Sequence, residues 1–518
     1  MPNAAALPDD IDALKVLVLA GETLVAELRS QLLTRALEID CLKLQIAWLR
    51  RMQFGRKSEK LDGQIEELEF KLEELQTEDA AMQAKALHPK VARQPSIRKP
   101  LPAHLPRHTE THLPATESCP ECGGTLAILG EDVSEQLEYV PASFRVIRHA
   151  RPKLACTCCD HIAQAPAPSR PIVRGFAGPG LLAHVLVAKF CDHLPLYRQS
   201  VIYAREGVDL DRALLADWVG ASSALLDPLV EALRRHVLAG AKVHADDTPI
   251  PVLSPGNGRT KTGRLWTYVR DDRPAASSVP PAVWFAYTPD RKGEHPQSHL
   301  KKFAGTLQAD AYAGFNAIYQ TGRIQEAACW AHARRKFYDL HVARPSTLTA
   351  EALRRIGELY GIETTIRGKP PDERWRIREQ QAKPLLAEFE SWLNETMARL
   401  STKSDTTAAI LYALNRWAAL TRYCDDGTLE IDNSAAERAL RGVALGRRNY
   451  LFAGANSGGE RAAAIYTLVG TAKLNGIDPE AYLRHVLGCI AEHPINRLEE
   501  LLPWNVAASL PDVPRLAA

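Results

Sequence analysis

The chain has 518 residues, 46% hydrophobic and 24% charged, and its 64 Lys and Arg against 62 Asp and Glu leave a formal net charge of +2. That content gives ample core for three or more domains, while the near balance of charge excludes a global basic field, so contact with a polyanion must rest on local patches. No stretch of about 18 uncharged apolar residues occurs and the acidic, charge-interrupted start lacks a signal-peptide layout, which points to a cytoplasmic protein with no membrane partner.

The first module spans residues 1–87. Val18, Val25, Leu32, Ile39 and Ile46 share one heptad position and Leu14, Leu28, Leu42 and Leu49 the other, interrupted by Gly21 and Arg35. Mostly β-branched residues at the first position with Leu at the second favour a parallel two-stranded coiled coil, hence a homodimer or higher oligomer; a helical hairpin packed on itself is the alternative. A basic word, residues 54–60, precedes a second helix through Ile65, Leu68, Leu72 and Leu75. Its Arg56 and Lys57 are DNA-binding candidates, although a solvated loop explains them equally well.

Residues 88–115 are proline-rich and basic and read as a linker. In 116–165, Cys119 and Cys122 pair with Cys156 and Cys159 as two CxxC units. Ten cysteines with this clustering argue for structural zinc in a ribbon rather than for disulfides. Cys158 or His161 stands in reserve for the fourth ligand.

A proline-glycine linker, about residues 166–180, leads into a helical region at 178–240. The span 197–218, with Gly207 at a turn and Asp211 as an N-cap, reads either as a helix-turn-helix or as antiparallel helices beside a sheet. The first part of a core follows at 241–344. Asp246 closes the apolar stretch Lys242-Val243-His244-Ala245, strands follow at 263–271 and 282–290, a helix at 295–303, and a strand at 305–309 that delivers Asp310.

Cys329-Trp330-Ala331-His332 has no second ligand pair nearby, so Cys329 is expected to be buried at a strand end and His332 to begin a helix that turns Arg334, Arg335 and Lys336 toward DNA. Residues 345–427, with Trp375, Trp392 and Trp417, read as a bundle of amphipathic helices inserted into the core. Packing, or holding a DNA end or a second subunit, is its expected role. The core resumes at 428–472, where Asp432 or Asn433 caps a helix carrying Glu437, and a helical domain at 473–518 ends the chain. Arg438, Arg441, Arg447 and Arg448 suit phosphate oxygens.

Singly, an Asp at a strand end reads as a solvated turn residue, and Glu437 with Arg441 at i,i+4 as a surface salt bridge. Together Asp246, Asp310 and Glu437 on rigid elements suffice to hold a pair of magnesium ions, which prefer oxygen ligands and keep some of their waters. The words around them, HADDTPI, LQADAYAGFN, CWAHARRKF, IDNSAAERALR and GRRNYLFAG, resemble in sequence and order the insertion sequence 66 family of bacterial transposases. FGRKSEKL, HLPLYRQS, LNGIDPEAYL and LEELLPWN extend that resemblance over nearly the whole chain.

The resemblance implies a multidomain α+β protein: N-terminal coiled-coil helices, a zinc ribbon, a ribonuclease-H-like α/β catalytic core with a helical insertion, and a small helical C-terminal segment. It implies Asp246, Asp310 and Glu437 as an Asp-Asp-Glu triad holding two Mg²⁺ or Mn²⁺ ions, with His332 close by. The expected partners are the terminal inverted repeats of a mobile element, target DNA and small accessory proteins of the same element. Family members commonly carry Asp-Glu-Thr where this chain has Asp246-Asp247-Thr248, which makes Asp247 the alternative ligand. Other readings are a DNA-binding regulator whose ribonuclease-H-like region does not cut, and a structure-specific nuclease.

Overall fold

A computed structural model describes residues 175–254, 260–450 and 452–510, with residues 170–173, the strands β1 (Lys153–Ala155) and β2 (Ile162–Gln164), and the isolated positions 21 and 144. The chain divides into two compact units, 1–144 and 145–518. The coiled-coil seam apart from Gly21, the basic word with Arg56 and Lys57, and the ligand set Cys119, Cys122, Cys156, Cys158, Cys159 and His161 lie outside the described residues. Strands β1 and β2 pair antiparallel, with Leu154 opposite Ala163.

The second unit is built on a five-stranded sheet. Its strands are β3 (Lys242–Val252), β4 (Lys261–Arg270), β5 (Ala282–Thr288), β6 (Gly305–Ala309) and β7 (Ile324–Ala328), and their order is β5-β4-β3-β6-β7. The first three pair antiparallel, while β6 and β7 run parallel to β3. Gly305 opens β6 at φ +141°, where a Cβ would collide with the Ala241 carbonyl, so the chain can enter the sheet here only without a side chain.

Strand β3 is longer than expected. Instead of closing at Asp246 it runs through both aspartates and past Pro249 and Pro251, paired with β4 as far as Val252 and Lys261. The prolines are tolerated because β6 pairs only with residues 242–244. Beyond them Arg447 donates to the Pro249 carbonyl and Ala453 bonds the Pro251 carbonyl and the Leu253 N–H, and none of these contacts needs a proline N–H, so its absence breaks no ladder bond.

The helices cover the sheet and its edge. Helices α1 (Pro179–Phe190), α2 (Leu196–Arg205) and α3 (Arg212–Leu238) precede the sheet, and α4 (Glu294–His299) lies between β5 and β6. Among the described residues α3 is the one helix long and apolar enough to cross a membrane; it packs on β5. Helix α5 (Trp330–Ala343) follows β7, and the Glu437-bearing helix α11 (Ser434–Asn449) lies against β3 and β4. Helix α12 (Asn456–Leu474) covers edge strand β5: its Thr467 and Thr471 hydroxyl oxygens accept the Phe285 and Val283 N–H groups at 2.9 and 3.2 Å. Helix α13 (Pro479–Cys489) packs on α1. Two side chains thus take the place of a neighbouring strand and blunt the edge.

The insertion between α5 and α11 holds α6 (Thr347–Ile366), α7 (Pro371–Ile377), α8 (Lys383–Ala398), α9 (Asp405–Leu414) and α10 (Trp417–Thr421). Helices α6, α8, α9 and α10 form one apolar core with α5, in which Trp330, Phe337, Ile356, Leu386, Phe389 and Ile410 are buried. A π-helical stretch, Arg378–Ala382, joins α7 to α8.

Arg378 is fully buried there, donating to both Glu363 oxygens at 2.8 and 2.6 Å and to the carbonyls of Tyr423, Asp426 and Leu429. Arg374, 1% exposed, donates to Glu430 at 2.6 Å and to Leu429 at 3.1 Å. The two guanidinium groups therefore staple the segment that leads into α11. Removing one partner of such a pair leaves a buried charge uncompensated, at a cost of about 3–5 kcal/mol. Glu363→Ala is expected to lower the urea midpoint accordingly and to admit protease first between residues 345 and 430; an unchanged midpoint would mean the pair is solvated.

Candidate active site

Period-two geometry sets the first two acids. His244 on β3 and Gln308 on β6 are registered partners in the parallel pair, and Asp246 and Asp310 each follow two residues later. Asp310 thus leaves the end of β6 at the level where Asp246 stands within β3, each acid in phase with a buried polar residue behind it. Asp246 is half-buried and one of its carboxylate oxygens accepts the Asp247 N–H at 2.7 Å.

Asp247 points to the opposite face, where only 2% of its side chain is exposed. Arg291 clasps it at 2.8 Å and Arg264 at 3.1 Å. Burial raises its carboxyl pKa against the pull of these two cations. Arg291 also reaches to 4.0 Å from Asp310, so it links the ion pair on one face to the acid at the end of β6.

Glu437 arrives on the first turn of α11, and Asn433 brings it there. Asn433 stands at the N-cap, but its side chain makes no capping bond. It is 1% exposed; its amide donates to the Ala245 carbonyl at 2.9 Å, its oxygen meets His244 Nδ1 at 3.1 Å, and its backbone N–H donates to Cys329 Sγ at 3.2 Å. Since the amide nitrogen is engaged with a carbonyl, the network assigns the His244 proton to Nδ1. Burial pushes the His244 pKa down to about 3, so the ring is neutral.

A second clamp acts one strand over. The Gln308 side chain donates to the Glu430 carbonyl at 2.7 Å and accepts the Glu430 N–H at 3.0 Å, in the manner of a strand partner. Asn433 was expected only as one of two alternative helix caps, and neither His244 nor Gln308 was expected to bear on the site. The available signal was a polar residue two before each acid in an otherwise apolar strand.

His332 lies on the first turn of α5 with Nδ1 3.8 Å from a Glu437 oxygen. Cys329, His332 and Glu437 bring ligand atoms within 4.8 Å of one another. Burial first, then Glu437 and Asp432, push the Cys329 thiol far up. A hard divalent cation prefers oxygen to sulfur ligands, so the donors here that suit one are the Glu437 carboxylate and the His332 imidazole.

Of the arginines, Arg438 and Arg448 are exposed on α11 and Arg441 is half-buried. Arg447 donates to the Pro249 carbonyl at 2.6 Å and so ties α11 to the far run of β3. Arg334 stacks over the Tyr338 ring at 5.7 Å, and Arg335 is half-buried on the same helix.

Electrostatically the three acids form one cluster. The Asp246 carboxyl is raised well above the usual range by burial, then by Asp310, then by Glu437. Clustered carboxylates that repel in this way fit a hard divalent cation, which takes oxygen ligands and relieves the repulsion.

Because the folded protein holds the Asp246 proton to higher pH than the unfolded chain, stability is lost as pH rises through the unfolded value toward the folded one. In EDTA, Asp246→Asn is expected to melt a few degrees above wild type at neutral pH, the gap widening as pH rises above the ordinary carboxylate range. A gap independent of pH would show that Asp246 does not carry this repulsion.

Comparison with known proteins gives these acids a context. The family model described as Transposase IS66 family matches residues 174–461, a span that contains all three. Further models match residues 41–109 (Transposase C of IS166 homeodomain), 116–160 (zinc-finger binding domain of transposase IS66) and 467–504 (IS66 C-terminal element). Uncharacterized protein y4hP of Sinorhizobium fredii is 43% identical over 90% of this chain and 89% of its own length. Uncharacterized protein y4qI of the same organism is 39% identical over 97% and 98%. With four family models in order along its length, and a matched transposase domain that encloses the converging acids, the chain belongs to the IS66 family of transposases.

Proposed function

We propose that this chain cuts DNA at the ends of an insertion element and joins the freed strand to target DNA, using divalent cations held by Asp246, Asp310 and Glu437. The observation that carries the reading is where the fold puts these acids inside the transposase domain: Asp246 and Asp310 each follow by two residues the registered pair His244 and Gln308 on β3 and β6, and Asn433, bonded to His244 and Ala245, brings the first turn of α11 with Glu437 to the same place. The strand order β5-β4-β3-β6-β7, antiparallel then parallel, supports a ribonuclease-H-like core.

Asp246 and Asp310 would hold the cations, Mg²⁺ or Mn²⁺, jointly, and Glu437 would complete the site. When bound, such ions polarise the phosphodiester and activate the attacking oxygen, water in cutting and a 3′-hydroxyl in joining. Asp246 must ionise to ligate, so its raised carboxyl gives up a proton when the site fills. Asp247 serves as a counter-charge that fixes Arg291 and Arg264, and Asn433 holds Glu437 in line. Arg438, Arg441 and Arg448 are suited to position phosphates, with Arg334, Arg335 and His332 on the neighbouring helix.

In the same reading Cys119, Cys122, Cys156 and Cys159 hold structural zinc, and the N-terminal coiled coil with Arg56 and Lys57 supplies dimerisation and contact with the terminal inverted repeats. The protein works in the cytoplasm, with accessory proteins of the element as further partners.

Loss of one carboxylate removes several kcal/mol of charge stabilisation, so roughly a thousandfold in rate. With labelled element-end and target DNA in magnesium, Asp310→Asn and Glu437→Gln are expected to lose cutting and joining to that extent while still binding the ends. Full cleavage by either variant would refute the assignment; cutting without joined products would make the protein a nuclease, and specific binding without either would make it a regulator.

A further inference from the structure

Strand β3 continues four residues past Asp246 to Ile250, roughly 13 Å at strand rise, and there it floors a second concavity of about 270 Å³. One wall comes from α1 through Lys189. The other is the segment after α11, with Tyr450 and Phe452, which is locked to β3 because the Ala453 N–H donates to the Pro251 carbonyl at 2.8 Å and its carbonyl accepts the Leu253 N–H at 2.9 Å. The first turn of α12, with Ser457, and the Arg461 side chain close it.

The electrostatics of this cavity are one-sided. Lys189, Arg447 and Arg461 line it and no Asp or Glu does. Arg447 is engaged with the Pro249 carbonyl, but among the described residues no carboxylate pairs with Lys189 or Arg461. The Lys189 ammonium instead lies 4.4 Å from the Tyr450 ring centre, and burial lowers its pKa to about 8. Arg461 lies flat against α3 at Gly220, where a Cβ would come within 2.8 Å of its Cζ; the glycine leaves room for the guanidinium. Helix α12 adds its positive end, with Ala455 at the N-cap, no side-chain cap and no acid in the first turn.

An occupant must therefore be anionic at one end and flat and apolar at the other. Phe452 is 41% exposed at this cavity, a large ring with little protein over it. A nucleotide meets both demands, since any base has a face to stack on an aromatic ring and a phosphate suits a helix N-terminus. The distance from Asp246 corresponds to about four steps along a duplex strand, within reach of DNA held at the acids.

We propose that this cavity receives one unstacked nucleotide of the bound DNA, its base against Tyr450 and Phe452 and its phosphate between Lys189, Arg461 and the first turn of α12. The proposal rests on the reading of DNA as substrate, and it adds a subsite that holds a strand beside the cutting centre.

The test uses the full chain, ultraviolet crosslinking and a short single-stranded oligonucleotide bearing one 5-iododeoxyuridine, with crosslinked peptides mapped by mass spectrometry. Crosslinks are expected at Tyr450 or Phe452. Phe452→Ala, and Lys189→Ala with Arg461→Ala, should each cut the yield roughly tenfold, and Phe452→Trp should retain it. Asp310→Asn should crosslink like wild type while losing magnesium-dependent cleavage.

Crosslinks mapped only elsewhere, or a yield unchanged in Phe452→Ala, would overturn the subsite and leave the transposase reading standing. Crosslinks at the cavity from a wild-type protein that never cuts would sink the transposase reading and keep the subsite. Crosslinking of free 5-iododeoxyuridine monophosphate as efficient as that of the oligonucleotide would replace the DNA subsite with a site for free nucleotide.

Discussion

Asn433 makes the junction on which the site depends. Its side chain joins the start of α11 to the backbone of β3 and to the buried ring of His244, and its N–H is anchored on Cys329 at the end of β7. A helix that starts with an ordinary cap is free to swing about its first turn; one whose cap residue is bonded into the sheet is not. Glu437, one turn further, inherits that rigidity. Three carboxylates repel one another, so only a framework that over-determines their positions can keep them together.

The helical insertion belongs to that framework. Arg378 is held by the carbonyls of Tyr423, Asp426 and Leu429 and by both Glu363 oxygens, while Arg374 donates through one guanidinium nitrogen to the Leu429 carbonyl and Glu430. The same bonds fix the path of the chain into α11, and Gln308 grips that path from β6. Desolvating two guanidinium groups is expensive and adds little net stability. What it gives is a single geometry for the approach to Glu437, reached from a core of Trp330, Phe389 and their neighbours.

Charge is distributed to match. With a net charge of only +2 the chain has no field to spare, and the cations sit locally: Arg438 and Arg448 exposed on the Glu437 helix, Arg291 and Arg264 neutralising Asp247, Lys189 and Arg461 at the second cavity. Asp246 and Asp247, neighbours in sequence, occupy opposite environments because a strand alternates its faces. One joins a repelling cluster and the other a closed ion pair.

Much of this was legible in the sequence. Apolar runs with Trp, Phe and Tyr marked β4 and β5 within a few residues, and the helix-forming run around Glu437 marked α11, because local periodicity and propensity act over a few residues at a time. The same locality misplaced the end of β3, which was expected to close at Asp246 with its apolar stretch, whereas pairing with β4 carries it through two prolines to Val252. It also made Asp432 or Asn433 a helix cap; Asn433 does stand at that position, but its side chain bonds partners 188 and 189 residues away instead of the helix. By itself the sequence determined the elements, the family and the candidate acids. The tertiary structure alone decided which acids converge, that Asp247 is paired away and that buried arginines hold the path to Glu437, because those outcomes are set by contacts between residues far apart in the chain.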